Sequence, residues 1–150
     1  MSALDYQVGG GHYKDRAIQP VQYWMANLMG GCEASIVKYV TRWRDKGGVE
    51  DLRKARHFLA LILENEAYQR LHAEQRRAFP LVSRIGIRPD QYSSENQLDM
   101  PERAIMAHLD PWVRFGDRSS LDGARKWLDE MLDAELSGGV ESGALREHED

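Results

Sequence analysis

The chain has 150 residues, 42% hydrophobic and 29% charged, with a net charge of −4 and one cysteine. That is enough chain for one ordinary domain with its own core, and no apolar run approaches the roughly 18 residues that a membrane span needs. The opening residues lack the basic and apolar parts of an export signal, Cys32 alone excludes an internal disulfide or a multi-cysteine zinc site, and the acidic sum argues against general nucleic-acid binding.

Residues 1–17 are glycine-rich and polar and predict an N-terminal arm. Pro20 suits the first position of a short helix reaching about Met29, because proline is tolerated where the amide has no helical partner. Gly30 and Gly31 end that helix. A second is expected from about Glu33 to Asp45, with Ile36, Val40 and Trp43 in one stripe. Gly47 and Gly48 make a turn. Glu50 and Asp51 open a third helix, whose dipole favours acids at that end. It carries Leu52, Ala55, Leu59, Ile62 and Leu63 inward and is expected to run to about Arg77, closing a first unit over residues 18–78. Pro80, Gly86 and Pro89 mark a linker that merges into a second unit by residue 100, with Leu81 to Ile87 as the best strand candidate. Helical patterns resume over 101–114 and from Ser120 to about Leu136, giving a second unit over 101–136. Residues 137–150 read as a disordered acidic tail.

Slid against itself by 69 positions, the sequence aligns residues 18–63 with 87–132 without a gap. Fourteen of 46 positions are identical, where ordinary composition predicts roughly three. They include Ile18/Ile87, Pro20/Pro89, Tyr23/Tyr92, Asn27/Asn96, Glu33/Glu102, Ile36/Ile105, Trp43/Trp112, Gly47/Gly116 and Leu59/Leu128. The predicted fold is an all-α helical bundle of two related units in a pseudo-twofold arrangement. A homo-oligomer is expected as well, since amphipathic helices this long leave an apolar stripe to cover.

The two copies differ in charge. Between Ala34 and Phe58 there are seven basic residues against three acidic ones. In the second copy Lys38 is replaced by Ala107, Arg42 by Pro111, Lys46 by Phe115, Glu50 by Ser119, Asp51 by Ser120 and Lys54 by Gly123. Solvated helix faces usually keep some charge, so the replacement points to a site in the first copy and a scaffold in the second; drift after duplication is the competing explanation. Lys38 and Arg42 lie one helical turn apart on one face, and arginine forks and lysine point charges both suit phosphate oxygens. The helix opening after Gly48 adds unpaired amides. Glu50 and Asp51 can orient the cations, bind a metal or cap the helix. In the arm, His12 is a candidate acid, base or phosphate donor, with Tyr13 and Lys14 beside it. The glycines before it do not form a P-loop, whose Gly-Lys-Ser/Thr ending is missing. Tyr39 is a candidate for stacking on a base.

The order His12-Tyr13, Gln19-Pro20, Lys38-Tyr39-x-x-Arg42, Lys46-x-Gly48-x-Glu50-Asp51-Leu52-x-Lys54-Ala55 resembles a phage family long labelled as of unknown function, whose members occur in T7-like phages and are commonly described as nucleotide kinases. The resemblance covers residues 8–63. It implies a phage protein in the host cytoplasm that transfers a phosphoryl group to a (deoxy)nucleoside monophosphate without a P-loop. On that view His12, Lys38, Arg42 and Glu50 are catalytic, and Tyr13, Lys14, Gln19, Tyr39, Lys46, Asp51 and Lys54 bind the mono- and triphosphate. The motif requires no cofactor, though magnesium is compatible with it. One departure is Ser35, where the family has asparagine; this puts the substrate or the activity in question. Phosphoryl transfer rests mainly on positioning and charge stabilisation, which four cations can supply, and Arg42→Ala is expected to weaken binding tenfold or more without loss of helix.

Two other functions compete. A MazG-like all-α pyrophosphohydrolase would hold magnesium with Asp99, Glu102, Glu130 and Asp133, which come close to that family's paired spacing. A non-enzymatic phage protein that sequesters nucleotides or binds a host factor fits the modest catalytic inventory.

Overall fold

The computed structural model describes residues 2–5, 16–82 and 86–141, with side chains as far as Gly138. Among them there are seven α-helices, a 3-10 turn at Ala3–Asp5 and no strand. The helices are α1 (Pro20–Ala26), α2 (Gly31–Arg42), α3 (Val49–Leu63), α4 (Glu66–Ala78), α5 (Pro89–Glu95), α6 (Met100–Phe115) and α7 (Ser120–Glu141). No helix is long and apolar enough to cross a membrane.

Glycine and proline set the boundaries as expected, with Pro20 and Pro89 opening α1 and α5. Gly116 ends α6 at a φ of 72°, in the left-handed region where a Cβ is penalised. Five boundaries differ from expectation. Helix α1 stops at Ala26 rather than about Met29, and Gly31 opens α2. The third helix does not reach Arg77: it stops at Leu63, and α4 begins after Asn65, whose side chain accepts from the Tyr68 amide at 2.9 Å. Gln69 seals the break by donating to the carbonyls of Ile62 and Leu63 at 2.8 and 3.0 Å. The bend lets Tyr68 and His72 reach Trp112, which a straight helix would miss. The second helix ends at Arg42, leaving Asp45 and Lys46 in the turn. The linker holds the short helix α5, and α7 continues past Leu136 to Glu141.

The described part of the expected strand, Leu81, Val82 and Ile87, is pinned by Arg114. Its guanidinium donates to the Leu81, Val82 and Ile87 carbonyls at 3.0–3.2 Å and to Asn27 Oδ1 at 3.0 Å, while Asp110 takes its Nε at 2.8 Å. A buried arginine satisfied in this way replaces the partner strand that these backbone groups would otherwise need.

The core is one cluster. Helices α2 and α3 pack as a hairpin, α6 and α7 as another, and α3 lies along α7. Ile36, Val40, Leu52, Leu59 and Ile62 from the first hairpin meet Ile105, Leu109, Leu121 and Leu128 from the second, all essentially inaccessible. Each such side chain contributes about 1.5–3 kcal/mol on burial.

Polar contacts cross between the hairpins at matching places. Trp43 Nε1 donates to Glu102 Oε1 at 3.4 Å, and Trp112 Nε1 donates to Glu33 Oε2 at 2.9 Å. Asn27 bonds both backbone groups of Ile87, and Asn96 both those of Ile18, all at 2.8–3.1 Å. Tyr23 and Tyr92 stack with ring centroids 4.2 Å apart. Burial drives the Tyr23 hydroxyl far above its usual range, so it acts only as a neutral group.

Candidate anion-binding site

The last turns of α2 and the start of α3 face each other across Gly47 and Gly48, and the cationic motif gathers there. Arg42 reaches back to Asp51 in the first turn of α3, with Nε 2.9 Å and NH2 3.2 Å from the two carboxylate oxygens. This two-pronged pair is well shielded, the side chains being 12% and 1% exposed. Asp51 is also pressed against Gly47, where any Cβ would collide with its carboxylate. Glycine at position 47 of the turn is thus required by contact with Asp51.

Three cations surround the ring of Tyr39. Arg42 lies 4.9 Å from its centroid, Lys38 5.0 Å and Lys54 5.5 Å. Phe58 stacks beside the same ring at 6.1 Å. Cations favour the negative face of an aromatic ring, by about 0.5–1 kcal/mol at exposed positions, which offsets part of their mutual repulsion. Among the described residues no carboxylate pairs with Lys38, Lys46 or Lys54, while Asp51 answers Arg42 alone. The cluster therefore carries an excess of positive charge around one half-buried ring, an arrangement that a multiply charged oxyanion relieves.

The other sequence candidates fall at different distances from this centre. Lys46 is exposed in the turn beyond α2. Glu50 is also exposed and pairs with Arg53 at 3.5 Å. Gln19 is the N-cap residue of α1; its backbone amide donates to Gln22 Oε1 at 2.8 Å, and its side chain donates to the Leu4 carbonyl. Ser35 Oγ turns back onto the Gly31 carbonyl at 2.8 Å. His12, Tyr13 and Lys14 lie outside the described residues.

Asp99, Glu102, Glu130 and Asp133 do not assemble a metal site: among the described residues no group of three or more histidine, cysteine or acidic side chains is placed to hold one. Glu102 is buried and taken up by Trp43 and by Arg44 at 3.1 Å, Asp99 also pairs with Arg44, and Glu130 and Asp133 are exposed on α7.

Two participants escaped the sequence reading. Arg16, at the root of the arm, donates to the Thr41 carbonyl at 3.0 Å and pairs with Asp45. It neutralises the acid nearest the C-terminal end of α2, and nothing in its sequence context signals this. Phe58 lies one helical turn after Lys54 and could have been read as a neighbour of the cation face.

The place 69 positions further along the chain is closed. His108 stands where Tyr39 does and lies so close over Gly123, the counterpart of Lys54, that a Cβ there would strike its ring. A separate open cleft of about 360 Å3 lies between α4 and α6, lined by Glu66, Gln69, Arg70, Ala73, Trp112, Gly116 and Arg118. None of the described motif residues lines it.

Compared with known proteins, residues 9–60 match the model of a family described as a protein of unknown function, DUF3310. The match contains α1, α2, the glycine turn and most of α3, and it stops short of the second copy. No curated protein and no solved structure matches the chain.

Proposed function

We propose that this chain binds the phosphate groups of a nucleotide at Lys38, Arg42 and Lys54, and that it transfers a phosphoryl group to a (deoxy)nucleoside monophosphate without a P-loop. One observation carries the reading: three cations gather within 5.5 Å of a single ring centroid, where the described ion pair is that of Arg42 with Asp51. Cations that only solubilise a helix spread apart, because like charges at one helical turn repel.

In the proposed reaction the oxygen of the acceptor monophosphate attacks the terminal phosphorus of a triphosphate, the bridging P–O bond breaks, and two diphosphates leave. The acceptor oxygen is already anionic near neutral pH, so no strong general base is needed. The requirement is to hold two like-charged phosphate groups together and neutralise the charge between them. Lys38 and Lys54 supply mobile charge, and Arg42 supplies a fork held by Asp51. Asp51 is then a positioning residue, since its carboxylate is too buried to meet a ligand. Tyr39 gathers the cations rather than stacking on a base. His12, Tyr13 and Lys14 belong to this proposal as residues of the arm, and Lys46 as a peripheral charge.

The test is turnover of labelled dTMP or dGMP with a triphosphate donor, with and without magnesium, beside a titration of the protein with pyrophosphate. Formation of the diphosphate, lost in Lys38→Ala, supports transfer. Binding without product under every metal condition would replace transfer by sequestration. No binding at all would remove the nucleotide reading.

A further inference from the structure

The contacts that join the two hairpins obey a rule that ordinary packing does not impose. Asn27 holds Ile87, and 69 positions along, Asn96 holds Ile18, the counterpart of Ile87. Trp43 donates to Glu102, and its counterpart Trp112 donates to Glu33, the counterpart of Glu102. Tyr23 stacks on its own counterpart, Tyr92, as a residue does only when it sits on a twofold axis. Leu28 and Gln97, also counterparts, share a rare positive φ of 52° and 55°. When residue i meets j′ and j meets i′, the interface is isologous, the kind formed by two identical subunits about a twofold axis.

We infer that the face of the first unit bearing Tyr23, Asn27, Glu33 and Trp43 is a self-complementary docking surface whose partner is the second unit of the same chain. The protein is a covalently joined pseudodimer and acts as a monomer with one anion site. The buried apolar residues of the two units form one shared core. Departures from symmetry agree with one unit having become support. Helix α4 folds back over Trp112 and Gly116, where a Cβ would meet Ala73 Cα at 2.7 Å, while α7 continues as one helix from Ser120 to Glu141 and Trp43 is covered by the Arg44 guanidinium at 4.3 Å. The cation positions survive in the first unit only.

Sedimentation of the full chain from micromolar to hundred-micromolar concentration tests this. A single species at the chain mass of 17.2 kDa is expected, and a species of twice that mass overturns the inference. Hydrogen exchange then tests the crossing. Asn96→Ala is expected to speed exchange of the Ile18 amide at least tenfold, and Asn27→Ala that of the Ile87 amide; a response in only one of the two overturns the symmetry. Should either variant fail to fold, the parent still decides: slow exchange of both the Trp43 and Trp112 indole N–H protons, independent of concentration, supports the pairing, and concentration-dependent exchange overturns it. The claim of one site rests on the anion-binding reading, and pyrophosphate calorimetry is expected to give one site per chain. Two sites overturn the single-site claim, whereas zero sites refute the proposed function and leave the mass and exchange results standing.

Discussion

Replacing Arg42 and replacing Lys38 by alanine should separate folding from binding. The Asp51 carboxylate is 1% exposed and takes two bonds from Arg42, whose side chain is itself only 12% exposed. Removing one partner of a buried ion pair costs about 3–5 kcal/mol, because the other charge is left without compensation. Asp51 lies in the first turn of α3, where the helix dipole returns about 0.3–1 kcal/mol, so Arg42→Ala should sit near the lower end. At about 2–4 °C per kcal/mol for a chain of this size, the melting temperature should fall by about 6–12 °C. Arg42 thus contributes to the fold through Asp51 as well as to the proposed site, and below the transition the variant should keep its helical circular-dichroism signal. Lys38→Ala loses only a cation–ring contact worth about 0.5–1 kcal/mol, so it should melt within about 4 °C of the parent. Both variants should bind pyrophosphate about tenfold more weakly, a loss of about 1.4 kcal/mol. The assays are circular-dichroism melts and isothermal titration. Replacing both partners by apolar residues of similar volume, Arg42→Met with Asp51→Leu, should restore most of the stability and none of the binding. An Arg42→Ala melt within 2 °C of the parent would refute the argument, because Asp51 would then not depend on its partner.

Gly47→Ala should displace Asp51 from the turn, since its methyl group has no room beside that carboxylate; a melting temperature lowered by several degrees, as strained turn substitutions give, and weakened pyrophosphate binding are expected. Arg16→Ala should expose Asp45 as a repelling charge one turn from Arg42, worth about 0.5 kcal/mol at roughly 8 Å in water and hence about a twofold loss in affinity. Adding Asp45→Asn should restore it, and failure to restore would mean that Arg16 meets the anion itself. His72 is held below its ordinary pKa of 6.5, chiefly by burial, with the Trp112 carbonyl opposing. Its unfolded form therefore binds protons first, so its contribution is complete above about pH 6.5 and is lost as pH falls toward the lower folded value. Melts at pH 7.5 and 5.5 should show that loss, and His72→Gln should flatten it. Burial raises Asp110, which acts in the opposite sense within the more acidic carboxylate range.

Much of this architecture was legible in the chain itself, because helical periodicity, proline at helix starts and glycine at turns are local properties. The identities 69 positions apart were legible too, and they included more than apolar positions: Asn27/Asn96, Glu33/Glu102 and Trp43/Trp112 are polar or amphipathic, which a purely apolar scaffold does not need. Their meaning came only from the tertiary structure, where each proved to bond the other unit. The stop at Leu63 had a local signal in Asn65, which caps α4, whereas the contacts of Tyr68 and His72 with Trp112 that follow from it belong to the tertiary structure. The concentration of cations over residues 38–54 was likewise legible, since charge and spacing are written in the sequence. That Asp51 would be buried under Arg42, that Lys38 and Lys54 would share the Tyr39 ring, and that Arg16 would hold Asp45 depended on how α2, α3 and the arm root meet. Local spacing determines which side of a helix a residue occupies, whereas the packing of helices determines which charges meet, and electrostatic energy depends on the second.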